Sequence, residues 1–278
     1  MWSILVMALS TSSCTTTDIN TLIQSADDGA IKLGFEKREL RGGLFRLLTY
    51  QRLKKPNSPL TIYIEGDGYG WITRHRVSQN PTPRNPVALA LALADKQSTN
   101  IVYIARPCQY HLTGTQANCD QKFWTSHRFS SEVIDSVDAV IDLIARDNNS
   151  RHINLIGYSG GGAVAVLLAA QRDDIASIRT VAGNLDHQMF TEHHKVTPLI
   201  FSLNPLNVAE NLSNIPQLHF IGRDDDIVPG KVILSYQQKT NNPDCTKVAI
   251  VPNTNHYGGW QAQWPDLLGR DVNCLPAH

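Results

Sequence analysis

The sequence predicts an α/β protein built on a mostly parallel central sheet with helices on both faces, and three observations carry that expectation. From Leu60 onward, short apolar and β-branched runs alternate with longer helical patterns, the order of a parallel sheet wrapped by crossover helices. Before Leu60, two strand-like runs flank Arg41-Gly42-Gly43, which reads as a hairpin and places antiparallel strands at the N-terminal edge. At 153–163, Ile-Asn-Leu-Ile-Gly-Tyr-Ser-Gly-Gly-Gly-Ala runs a buried strand into a glycine-rich turn and then an apolar helix.

Taken in order, a leader and polar tether over 1–30 precedes one domain over 31–278. Strands are expected at 31–36 and 43–50, then at 60–64, where a glycine-rich loop follows. A helix opens at Asn85 or Pro86 and runs to about Lys96, and a strand follows at 100–105. In the helix expected at 131–146, Val133, Val137, Val140, Ile141 and Ile144 form one apolar stripe at helical spacing, which is core packing. Strand 152–156, helix 162–171 and strand 178–182 come next. Residues 184–216, punctuated by prolines at 198, 205 and 216, read as irregular and as the sole segment available for a cap, so the cap is small or absent. Strand 217–221, helix 229–238, strand 247–251 and a helix from Trp260 to Leu268 complete the domain. The loops after 64, 105, 156, 221 and 251 then share one rim, and ligands in open parallel sheets bind at that carboxyl rim.

Charge narrows the partners. The chain's 25 basic and 25 acidic side chains cancel, so nothing draws it electrostatically to nucleic acid. At the N-terminus a short apolar run, Ile4 to Leu9, precedes Ser10-Thr11-Ser12-Ser13-Cys14 and is too short to span a bilayer. This segment resembles a bacterial lipoprotein signal, in which the cysteine is lipidated and begins the mature protein. The pattern departs from such signals in lacking a basic residue ahead of the run and in placing Thr11 three before the cysteine. The resemblance implies lipidation of Cys14, membrane attachment and an envelope location, periplasmic or lipid-anchored; an uncleaved tail on a cytoplasmic protein is the alternative. The other four cysteines allow three pairings, of which Cys108 with Cys119 and Cys245 with Cys274 each close a loop beside a strand end. Such disulfides fit an oxidising compartment, and the absence of Cys-x-x-Cys spacing gives no reason to expect a metal.

Gly157-Tyr158-Ser159-Gly160-Gly161 holds one hydroxyl at a sharp strand-to-helix corner. A serine becomes a useful nucleophile only with a base, and the base works best when a carboxylate fixes its tautomer. The required acid and histidine follow on the same rim: Gly222-Arg223-Asp224-Asp225-Asp226-Ile227-Val228-Pro229 after one strand, and Asn255-His256-Tyr257 after the last. Among other histidines, His193 and His194 are adjacent and share no face for a metal, His219 lies within a strand, and His75, His111 and His127 sit in loops or helix starts near the rim. His278 ends the chain.

On these motifs and the order of strands and helices, residues 31–270 resemble the α/β-hydrolase superfamily of serine esterase type. The resemblance implies Ser159 as nucleophile, His256 as base and Asp225, three residues after a glycine and ahead of Val228-Pro229, as the acid. It also implies an oxyanion hole from the Gly160 amide and a second donor in Glu65-Gly66-Asp67-Gly68, where relatives carry a His-Gly-Gly-Gly type motif. Asp67 is the expected donor and Gly68 the alternative. Glu65 and Asp67 bring two carboxylates near a developing anion unless their side chains turn away, and Arg106 is expected to pair with one of them. Tyr69, Tyr158 and Tyr257 are expected to contact substrate; Trp71, Tyr110 and Trp260 also lie near the rim, as aromatic walls or as loop anchors. The expected activity is hydrolysis of small or polymer-attached carboxylic esters or thioesters without a cofactor. A peptidase or acyltransferase on the same fold, and a non-catalytic envelope lipoprotein, are the alternatives.

Overall fold

The structure, a computed structural model, describes residues 18–112 and 114–274. Cys14 and His278 lie outside the described residues. The first described element is a helix, α1 (Ile19–Lys32), followed by β1 (Glu36–Gly42) and β2 (Phe45–Leu53). After β3 (Leu60–Ile64) comes a small hairpin of β4 (Trp71–Thr73) and β5 (Arg76–Val77), then α2 (Val87–Ala94), β6 (Asn100–Ile104) and α3 (Ser131–Asp147). The second half runs β7 (Ile153–Tyr158), α4 (Gly160–Ala169), β8 (Ile175–Val181), α5 (His187–His194), β9 (Gln217–Gly222), α6 (Gly230–Thr240), β10 (Thr246–Val251) and α7 (Trp260–Leu268).

Eight of these strands form one sheet in the order β1-β2-β6-β3-β7-β8-β9-β10. β2 pairs antiparallel with both β1 and β6, and every other neighbouring pair is parallel, so the antiparallel strands stand at one edge as expected. Alternating side chains fill both faces. Leu60, Ile62 and Ile64 of β3 join Val133, Val137, Val140 and Ile141 of α3 and the wholly buried α4 on one side. Tyr63 and Tyr103 face the other side, under Ala26 and Ala30 of α1, the apolar α2, and Trp260 and Trp264 of α7. Both expected disulfides are present, Cys108–Cys119 in the loop after β6 and Cys245–Cys274 tying the start of β10 to the C-terminal segment. Among the described residues no helix is long and apolar enough to cross a membrane.

Three expectations are corrected. The polar tether does not extend to residue 30, because Ile23, Ala26 and Ala30 form a helical face that packs onto the domain. No strand covers 31–36; α1 ends at Lys32, Gly34 turns the chain with φ +78°, and β1 starts at Glu36. Residues 184–216 are not irregular throughout, since they contain α5 and a 3-10 turn at Pro205–Leu212. Together with the β4–β5 hairpin, whose Arg74 donates to the carbonyls of His194 and Lys195, α5 forms a small cap.

Candidate active site

The strand ends align in register: Ile64 lies beside Ile104 and Gly157, Tyr158 beside Val181, and Gly222 beside Val251. Ser159 follows β7 directly, Asp225 follows β9 after a short turn, and His256 lies in the loop after β10. The parallel sheet therefore delivers all three to one rim.

Ser159 adopts φ 51° and ψ −119°, a backbone region that non-glycine residues rarely enter. Its neighbours hold it there. The Ser159 amide donates to the Val181 carbonyl at 2.9 Å, while its own carbonyl accepts from Gly162 at 3.0 Å and Asn184 at 3.1 Å. The flanking glycines are sterically required, since a Cβ on Gly157 would stand 2.2 Å from the Gly161 carbonyl oxygen, and one on Gly161 2.2 Å from that of Ile64. α4 starts at Gly160 rather than at 162, so its N-terminal turn abuts the serine.

His256 Nε2 lies 3.1 Å from Ser159 Oγ, and His256 Nδ1 lies 2.9 Å from Asp225 Oδ2. Asp225 Oδ1 accepts from the Ile227 and Val228 amides at 2.9 and 2.8 Å, which leaves Oδ2 for the imidazole. The His256 carbonyl accepts from the Tyr158 hydroxyl at 2.9 Å, and Trp260 Nε1 donates to the Asn255 carbonyl at 2.7 Å. Asp225 and His256 are buried; Ser159 is half-buried and faces a cleft of about 410 Å³. Such an arrangement can draw a proton from the serine as it attacks and keep the resulting imidazolium paired.

Of the two carboxylates in the loop after β3, Glu65 turns to α2, whereas Asp67 stays beside Gly160, where a Cβ on that glycine would meet its Oδ1 at 2.0 Å. Glu65 accepts from the amides of Gly66, Ala88 and Leu89 and from the Tyr103 hydroxyl, so it caps α2, whose own N-cap residue is Pro86. Burial pushes its pKa up to about 7 against the pull of those four donors. Asp67 Oδ1 meets Arg106 Nη1 at 3.3 Å and Oδ2 meets Arg128 Nη1 at 3.0 Å, so Arg106 does pair with one of them. Burial lowers the Arg106 pKa to about 10, with Asp67 opposing the shift, and the guanidinium stays charged at neutral pH. The Asp67 and Gly160 amides donate to no protein acceptor among the described residues. Gly68 has φ +69° and packs so that a Cβ would meet the Pro81 carbonyl at 2.0 Å.

Tyr69, Tyr158 and Tyr257 all line the cleft, with different surroundings. Tyr158 is buried with its hydroxyl committed to His256, Tyr69 lies under the Arg84 guanidinium, and Tyr257 is 59% exposed with its ring edge-on to His256. Trp71 is exposed in β4, whereas Tyr110 and Trp260 are buried anchors. His219 is buried within β9 with Nδ1 2.9 Å from Thr180 Oγ1, and His193 and His194 end α5. Sequence reasoning missed Arg84, Asn85, Arg128, Asn184, Phe190 and Ile227 as cleft residues. Only Pro83-Arg84-Asn85-Pro86, a rigid stretch between the donor loop and α2, offered a local signal.

Solved structures share this architecture at low identity. An esterase from Pyrococcus furiosus superposes with a TM-score of 0.59 at 16% identity, covering 86% of this chain and 90% of that one. An α/β serine hydrolase homologue from Coxiella burnetii gives 0.55 at 16%, covering 84% and 93%. A lidless α/β serine hydrolase from Xanthomonas campestris gives 0.53 at 17%, covering 84% and 90%. These likenesses identify the α/β-hydrolase fold. No curated protein matches the chain. The serine hydrolase (FSH1) family model matches residues 86–257, more than half of the chain and a span that contains Ser159, Asp225 and His256, and the chain belongs to that family.

Proposed function

We propose that this serine hydrolase cleaves carboxylic esters or thioesters through an acyl-enzyme intermediate on Ser159. The observation that carries the reading is the unbroken Asp225–His256–Ser159 chain, 2.9 and 3.1 Å long, opening on the cleft. Ser159 Oγ attacks the carbonyl as His256 Nε2 takes its proton. The oxyanion of the tetrahedral intermediate is held by the Gly160 and Asp67 amides. His256 then protonates the departing alcohol or thiol, and a water activated by the same imidazole releases the acid. Asp225 fixes the tautomer and stabilises the imidazolium. A small cap and a cleft reached from solvent favour small or polymer-attached substrates over the interior of a lipid droplet. We also propose that the protein works in the cell envelope, a location that the two disulfides support.

A fluorophosphonate probe tests the nucleophile. Stoichiometric labelling at neutral pH that disappears in Ser159→Ala is expected, together with a loss of ester turnover of about ten-thousand-fold or more in that variant. Folded protein that takes no label removes the enzyme reading. Turnover of amide substrates at rates matching esters favours a peptidase instead.

A further inference from the structure

The charges around the cleft are unequal. Glu65, Asp67, Arg84 and Arg128 line it together with Ser159 and His256. Asp67 is neutralised twice over, by Arg106 and Arg128, and Glu65 points into the N-terminus of α2. Arg84 is different. It is exposed, no carboxylate pairs with it among the described residues, and its guanidinium carbon stands 3.6 Å from the centre of the Tyr69 ring. Stacking of this kind occupies the flat face of the guanidinium and leaves its in-plane N–H donors free for a planar anion.

The loop bearing Arg84 is held from both sides. Pro83 and Pro86 restrict its backbone, Asn85 Nδ2 donates to the Tyr257 carbonyl at 3.0 Å, and the Tyr69 amide donates to the Pro81 carbonyl at 2.9 Å. A cation on a restrained loop thus lies over the Tyr69 ring at the wall of the cleft that holds Ser159. A neutral ester gains nothing from it. An ester that carries a carboxylate forms a charge-assisted, two-point contact.

We propose that the cleft selects esters or thioesters bearing a second, anionic group, a carboxylate, and that Arg84 is the specificity-determining residue that receives it. This rests on the reading of Ser159 as the nucleophile.

The test compares kcat/KM for matched pairs. In one pair the acyl chain ends in a carboxylate (the mono-4-nitrophenyl ester of adipic acid) or in a methyl group (4-nitrophenyl hexanoate); in the other the leaving group carries the carboxylate (4-butyryloxybenzoate) or lacks it (phenyl butyrate). The intact protein is expected to prefer the acidic member of at least one pair by about tenfold, and the preference should shrink as salt is added, because an exposed cation is screened. In Arg84→Met the ratio should fall towards one, and Arg84→Lys should restore part of it. The proposal is overturned if the protein turns over both members of each pair without preference, or if Arg84→Met keeps the ratio. Fluorophosphonate labelling without turnover of any of these esters overturns it too, while leaving the nucleophile in place. Absence of both labelling and turnover removes the hydrolase reading itself.

Discussion

Asp67 stands where a tetrahedral intermediate would least tolerate a bare carboxylate: a Cβ on Gly160 would meet its Oδ1 at 2.0 Å. The side chain is acceptable there because Arg106 and Arg128 grip both its oxygens. Arg106 is buried, donates also to the Arg128 carbonyl, and lies 5.2 Å from the centre of the Phe129 ring. Arg106→Met keeps the volume and removes the charge, so Asp67 retains only Arg128. The variant is expected to lose about 2 kcal/mol of stability in urea titration, less than a fully broken buried pair because one partner stays. Its kcat should fall as well, since more of the Asp67 charge then faces the oxyanion. An unchanged unfolding midpoint would remove the structural role of this pair. At this scale the proposed nucleophile was legible from its glycine-flanked corner and Arg84 only from the prolines around it, whereas Arg128 and Asn184 were not, because nothing in their immediate sequence marks the cleft they reach.

Glu65 joins two elements, the end of β3 and the start of α2. It replaces the side-chain cap that Pro86 cannot supply, and it does so while buried, with a pKa of about 7. Since that folded value exceeds the ordinary 4.5, the fold binds its proton more tightly than the unfolded chain does. This contribution to stability is complete below pH 4.5 and is lost as pH rises to about 7. Glu65→Gln removes the titration. Measured by urea unfolding, the stability of that variant relative to the parent should improve by about 3 kcal/mol between pH 4 and pH 8; a difference independent of pH would show that Glu65 does not titrate in this range. Other elements divide by how strongly they pattern. The stripe of α3 is plain in sequence, but β1, Glu-Lys-Arg-Glu-Leu-Arg-Gly, is an exposed edge strand with little alternation to read. α5 hides for a similar reason, as it buries only His187 and Thr191 and owes its start to Asp186, whose carboxylate accepts from the Gln188 and Met189 amides.

For the whole molecule, two disulfides close loops of 11 and 29 residues, one beside the segment that carries Arg106 and one anchoring the chain after α7. Constraint of the unfolded chain makes each worth about 3 kcal/mol. Reduction with dithiothreitol is expected to lower the unfolding free energy by that amount per bridge, and single Cys→Ala pairs should divide the loss between them. A chain equally stable to urea with and without reductant would show that the bridges do not constrain it. The alternation of strand and helix, the parallel sheet with its antiparallel edge, and the order of Ser159, Asp225 and His256 were all present in the sequence, because periodicity and turn chemistry are local properties. Bringing Ser159 and His256 together across 97 residues was an inference from topology that the register of the strands then realised. Only the tertiary structure decided which charges cancel: Asp67 meets Arg106 and Arg128, Glu65 turns to α2, and Arg84 remains with Tyr69. These pairings depend on which loops the sheet stacks side by side, and charge acts through space, where separation along the chain carries no information.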